Sequence, residues 1–190
     1  MRVKNILLKT PLFLLFLFIL FGCIGKPPFR GEMIDPSTPA AEIGLPDQNG
    51  KPFWLSDMRG KVVIISFGFT NCVYECPLTM AHIKLALDTL GKNAHNVQVV
   101  LVSTDPVRDT PQVLHDYLDK FSPSFAGIPG TVDELKKVWD AYDVTVLDGG
   151  ETHSSFSYVI DKNGNLRLTF SPDTEPEDIV HDLRMLLAEK

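Results

Sequence analysis

Two cysteines four residues apart, Cys72 and Cys76, carry the clearest chemistry in this 190-residue chain. They stand in Gly68-Phe69-Thr70-Asn71-Cys72-Val73-Tyr74-Glu75-Cys76-Pro77. Ionised thiols are nucleophiles and soft-metal ligands. A four-residue spacing puts both thiols on one face of a helical turn. Unpaired amides at a helix N-terminus favour anions, so thiol ionisation should be eased there. The pair suits reversible disulfide formation, or binding of Cu(I), Zn or an iron–sulfur cluster. A plain structural crosslink is the bland alternative in an oxidising compartment. So short a loop, however, leaves a disulfide little chain entropy to remove. His153, in Gly149-Gly150-Glu151-Thr152-His153, adds an imidazole ahead of a strand. Imidazole with thiolates suits copper and zinc alike, although a lone loop histidine is usually just solvated. His82, His95, His115 and His181 read as surface residues. Asp105, in Asp105-Pro106-Val107-Arg108-Asp109, is read in two ways: as a turn residue, or as an outer group that orients metal ligands.

The elements that must position these groups alternate between strand and helix patterns. Lys61 to Phe69 is a continuous apolar run bounded by Gly60 and Asn71, the pattern of a strand buried on both faces. Cys72 and Cys76 follow it directly. Met80, Ile83, Leu87 and Leu90 then recur at helical spacing, with Gly91 at the C-terminal cap position. Val97 to Val102 is a second buried strand. Thr110-Pro111 is an N-cap followed by a proline at the first helical position. Thr131 with Glu134, and Thr174 with Glu177, have the spacing of capping boxes. Phe156 to Ile160 and Leu166 to Phe170 flank Asp161-Lys162-Asn163-Gly164, a hairpin signal. The order β-α-β-α-α-β-β-α predicts an α/β sandwich, a mixed central sheet with helices on both faces.

The ends of the chain and its charge narrow the function class. Residues 1–22 hold Arg2, Lys4 and Lys9, no acidic residue, and the unbroken apolar run Leu12 to Phe21. That run is short for a membrane span, which needs about 20 apolar residues, and fits a signal peptide. Gly22-Cys23 closes it in the manner of a bacterial lipoprotein signal, with Cys23 as the lipidated N-terminus. Residues 23–47 contain Pro27, Pro28, Pro36, Pro39 and Pro46 and read as a semi-extended tether. The remaining 48–190 form one domain, held by its lipid anchor at the extracytoplasmic face of a membrane. The full chain carries 18 basic and 24 acidic residues, and loss of residues 1–22 deepens its net charge from −6 to −9. An acidic body without basic runs excludes nucleic acid as a partner, because phosphate backbones are bound by Lys and Arg.

FGFTNCVYECP resembles the copper-site motif of the Sco/SenC proteins, membrane-tethered thioredoxin-fold factors of cytochrome c oxidase assembly. Val102-Ser103-Thr104-Asp105-Pro106-Val107-Arg108-Asp109-Thr110-Pro111 is similar to that family's segment after the second strand. Gly130-Thr131 with the helix ending in Tyr142, and Thr152-His153-Ser154 with Tyr158-Val159-Ile160-Asp161 and Gly164, are similar to two more of its segments. The likeness spans roughly residues 40–188. It implies a thioredoxin-like sandwich with copper held by Cys72, Cys76 and His153, and delivered to the copper-site subunit of cytochrome c oxidase. In such a sheet the loop of His153 faces the mouth of the first helix. Val73 and Thr152 depart from the family's usual proline and acidic residue, and neither change removes a ligand. A thiol-disulfide reductase acting on exported copper-site cysteines is the alternative. It fits less well, because thioredoxins use CxxC and a proline before the facing strand, and residues 150–157 contain no proline. A thiol peroxidase on the same fold would need threonine and arginine support that this motif does not show.

Overall fold

The two runs read as buried strands lie side by side at the centre of one sheet. The computed structural model describes residues 28–147, 150 and 152–189. The signal segment and Cys23 lie outside the described residues. From the N-terminus, β1 (Glu32–Pro39) is followed by a small hairpin of β2 (Leu45–Pro46) and β3 (Pro52–Phe53). Then come β4 (Val62–Gly68), α1 (Glu75–Leu90), β5 (Val97–Ser103), α2 (Pro111–Leu118), β6 (Ala126–Ile128) and α3 (Val132–Ala141). A second short hairpin, β7 (Val146–Leu147) and β8 (Thr152–His153), precedes β9 (Ser157–Ile160), β10 (Asn165–Phe170) and α4 (Pro176–Ala188).

The sheet order is β1-β10-β9-β4-β5-β6. β4, β5 and β6 are parallel, while β9, β10 and β1 pair antiparallel in succession. Side chains alternate along each strand. Val62 and Ile64 face a core built with α1, α2 and α4, whereas Val63, Ile65 and Phe67 face a second core with α3 and the β2–β3 hairpin. Both faces are therefore covered, which is why β4 and β5 read as unbroken apolar runs. Among the described residues, no helix is long and apolar enough to cross a membrane.

Three departures from the sequence reading have physical causes. The expected tether overlaps the domain, since β1 pairs with β10 from Glu32↔Thr169 to Pro39↔Asn165 and Phe29 packs on the core. β1 is an edge strand, where Pro36 and Pro39 need not donate to a ladder. Its entry is fixed by the fully buried Asp182, whose carboxylate accepts from the backbone N–H of Arg30 and of Gly31 at 2.8–3.0 Å. β6 has three residues, one of them a glycine, too few to show a period. The Thr174–Glu177 box does not form: Glu175 is the N-cap of α4, without a side-chain cap, and Pro176 opens the helix. The other caps are as expected. Thr110 accepts from Val113 N–H, Thr131 and Glu134 form the reciprocal box, and Gly91 ends α1.

Candidate metal centre

The carboxyl ends of β4 and β5 are adjacent, with Gly68 opposite Ser103, and the loops leaving them carry the site. Cys72 lies in the turn between β4 and α1, not on the helix, and its backbone N–H donates to Phe69 O at 3.3 Å. Cys76 occupies the first turn of α1. Its N–H donates to Cys72 Sγ at 3.4 Å, so one thiol caps the helix that holds the other. Both are free thiols, Cys72 half-buried and Cys76 only 7% exposed. The two residues between them that precede the helix project outward, Val73 at 95% and Tyr74 at 74% exposure.

The helix N-terminus does not ease both ionisations equally. Burial opposes ionisation of Cys72, but the backbone N–H groups of Cys76, Tyr74 and Glu75 and the Cys76 side chain outweigh it and hold that thiol below its ordinary range. For Cys76 burial dominates: it pushes the thiol up to about 12, against a lowering contact from the Phe69 backbone, and the neighbouring Cys72 adds to the rise. The arrangement is one accessible, readily ionised thiol above one buried, reluctant thiol. Gly68 is needed beneath them, because a Cβ there would stand 2.8 Å from Cys76 Sγ.

His153 reaches the same end of the sheet from β8, paired with Val146 of β7. Its ring packs edge-on to Phe69, with centroids 5.8 Å apart. Nδ1 lies 3.0 Å from Ser154 O. A carbonyl can only accept, so Nδ1 carries the proton and Nε2 keeps the lone pair a metal would take. Cys76 and His153 line one cavity with Ser66, Glu75, Thr79 and Ser155. Ser155 Oγ donates to Glu75 Oε2 at 2.9 Å, tying the loop after His153 to the start of α1. Gly150 ties the loop before it: Thr104 Oγ1 donates to Gly150 O at 3.1 Å. Gly150 has φ +104°, and a Cβ there would sit 2.1 Å from Thr104 O. Only glycine fits that approach. Among the described residues no three His, Cys, Asp or Glu side chains are already gathered as a metal cluster.

The carboxylate that reaches the cysteine loop is that of Asp109, not Asp105. Asp109 Oδ1 accepts from Thr70 N–H at 3.1 Å and Thr70 Oγ1 at 2.7 Å, and Oδ2 accepts from Ser103 Oγ at 2.7 Å. Burial holds its carboxyl above the usual carboxylate range despite those donors. The Asp105 carboxylate instead closes its own turn, accepting from Arg108 Nε and Arg108 N–H. Its Cα lies 3.0 Å from where a Cβ on Gly150 would stand, so its backbone abuts the histidine loop there. Asp109 follows Arg108 in sequence and looks like turn chemistry, so its reach back to Thr70 is legible only once β4 and β5 are paired. Of the other histidines, His95 is exposed, whereas His82 bonds Thr174 O at 2.9 Å and His181 bonds the buried Asp182 at 2.8 Å.

Residues 33–188 match the family model SCO1/SenC. An SCO2-like protein of Rickettsia felis is 35% identical over 152 residues, 75% of this chain and 74% of that protein. The copper-bound structure of ScoI from Bradyrhizobium japonicum superposes with a TM-score of 0.72 at 32% identity, covering 79% of this chain and all of that one. Apo Sco1 from Thermus thermophilus gives 0.75 at 34% identity, covering 84% of this chain and 98% of that one. The mixed sheet with its four helices is the thioredoxin-like fold of these relatives, and the chain belongs to the SCO1/SenC family.

Proposed function

We propose that the protein carries copper on Cys72, Cys76 and His153 and delivers it to the copper centre of cytochrome c oxidase. The observation that carries this reading is the placement of two thiols and an imidazole, its Nδ1 engaged by Ser154 O, at one end of the sheet. Two sulfurs and one nitrogen form a low-coordinate, soft donor set that satisfies Cu(I) and tolerates Cu(II). Because these donors are not gathered in advance, the ion itself would draw them together, and a site that assembles around its cargo can also release it. Homologues carry copper in their solved structures, and Sco proteins are described as cytochrome c oxidase assembly proteins. We also propose that Cys23 is lipidated after cleavage of residues 1–22, which anchors the domain outside the cytoplasm.

A second reading is favoured by one feature, the unequal thiols. In a thiol-disulfide reductase the ionised Cys72 would attack a target disulfide, releasing one target thiolate and forming a mixed disulfide. Cys76 would then displace the second target sulfur, leaving a Cys72–Cys76 disulfide and a reduced target. That disulfide has no thiolate to bind copper, so the two activities exclude each other at any moment. A transfer experiment separates them. The reduced domain loaded with one equivalent of Cu(I) is mixed with the reduced soluble copper-site domain of the oxidase. Delivery predicts that copper moves and both thiols stay reduced. Copper that stays put, with rapid reduction of an oxidised acceptor by the copper-free domain, would establish the reductase instead.

A further inference from the structure

Ser103, Thr104, Asp105 and Asp109, at the end of β5 and in the loop after it, are each at most 2% exposed. Polar side chains are buried in such number only where each finds a partner. Ser103 Oγ accepts from Asp105 N–H at 3.0 Å and donates to Asp109 Oδ2 at 2.7 Å, while the Asp105 carboxylate accepts from Arg108. The other two side chains reach outside the segment. Asp109 Oδ1 accepts from the N–H and the hydroxyl of Thr70, two residues before Cys72. Thr104 Oγ1 donates to Gly150 O, three residues before His153. One buried segment therefore holds both the turn that carries Cys72 and the loop that carries His153. Its own place is fixed by the β4–β5 ladder and by Trp139 Nε1, which donates to Ser103 O at 3.0 Å. A satisfied polar network in a low dielectric is rigid and specifies one geometry.

We infer that the segment from Ser103 to Asp109 is a bracket for the metal centre, with Asp109 and Thr104 as positioning residues that set where Cys72 and His153 stand. Each acts through another residue: Asp109 through Thr70 on the Cys72 turn, Thr104 through Gly150 on the His153 loop. The inference rests on the proposed copper site for its cargo, while the hold on the Cys72 turn can be read without metal.

Asp109→Ala, Thr70→Val, the two combined, and Thr104→Val are compared with the parent. The measurements are competition of the reduced domain with a Cu(I) chelator and equilibration of the metal-free Cys72–Cys76 disulfide with glutathione. Asp109→Ala and Thr70→Val should each weaken Cu(I) binding about 10–100-fold, the usual effect of losing a group that orients a metal ligand. Each should also make the disulfide several-fold easier to reduce, because a loosened turn lowers the effective concentration of one thiol at the other. The combined variant should be no worse than either single one, since the two side chains form one link. Asp109→Asn can still accept from Thr70 and should restore binding to within a few-fold of the parent. Thr104→Val should weaken Cu(I) binding and leave the disulfide unmoved, because it frees only the histidine loop. Thr131→Ala, which loses a cap within α3, supplies a loss of stability alone and should move neither readout. Parent-like affinity and disulfide equilibrium in Asp109→Ala and Thr70→Val would overturn the inference, and so would additive losses in the combined variant. A parent that forms the disulfide but takes no copper would refute the copper site, and the disulfide equilibria of those two variants would still decide the hold on Cys72.

Discussion

At the scale of single residues, the site is defined by contrast between two chemically identical side chains. Four-residue spacing announces the pair, but it does not reveal that one thiol lies before the helix and the other inside its first turn. That difference decides the chemistry. Backbone N–H groups hold the Cys72 thiol below its ordinary range, while burial pushes the Cys76 thiol up to about 12. An ordinary thiol has a pKa near 8.5. The rate of Cys72 alkylation by iodoacetamide should therefore rise at a pH below that of a free cysteine, and Cys76 should lag throughout the neutral range. Peptide mapping after partial labelling between pH 5 and 10 tests this, and equal labelling of the two sites at pH 7 would contradict it. Asp109 belongs to the same scale. Asp109→Ala leaves Thr70 and Ser103 without their buried acceptor and should cost about 1–3 kcal/mol. Asp109→Asn can still accept from Thr70 and should cost clearly less. Chemical denaturation of both variants provides the measurement.

At the scale of elements, the periodic segments were legible and the short ones were not. β4, β5 and the hairpin of β9 and β10 announce themselves through unbroken apolar runs or turn chemistry, and two of the four helices through their N-caps. β1 was hidden by its prolines, which an edge strand tolerates, and β6 by its three residues. The Thr174 signal failed because Pro176 opens the helix, which moves the N-cap one residue on, to Glu175. The hairpin that brings His153 to the cysteines consists of two-residue strands, so its geometry depends on Gly150 docking against Thr104. No local pattern encodes that contact. The capping box of α3 bonds within its own first turn and supplies a control. Thr131→Ala should lower stability by roughly 1 kcal/mol, as loss of an N-cap usually does, with Cu(I) affinity unchanged. A change in affinity comparable to that of a cysteine variant would show that α3 is coupled to the site.

For the whole molecule, the sequence resemblance and the three-dimensional arrangement meet at one end of the sheet. One thiol arrives from the turn between β4 and α1 and the other from the first turn of α1, and the imidazole arrives from β8, some eighty positions later in the chain. The family likeness linked them before any geometry did, since spacing alone ties Cys72 to Cys76 and says nothing of His153. The N-terminal arm enters the domain through Asp182, so the chain from Arg30 onward belongs to the domain and not to the tether that composition suggests. If Cys23 is the lipidated terminus, intact mass of the membrane-extracted protein should show residues 1–22 gone and a diacylglycerol mass added; retention of Met1 would refute the lipoprotein assignment. The central claim is the ligand set, and competition of the reduced soluble domain against a Cu(I) chelator tests it most directly. The parent should take one Cu(I) per domain. Cys72→Ser and Cys76→Ser should each lose most of the affinity, because a hydroxyl is a poor soft-metal ligand. His153→Ala should weaken binding less, with both sulfurs retained, and His115→Ala should match the parent. Parent-like affinity in His153→Ala together with a loss in His115→Ala would contradict the assignment at its central residue.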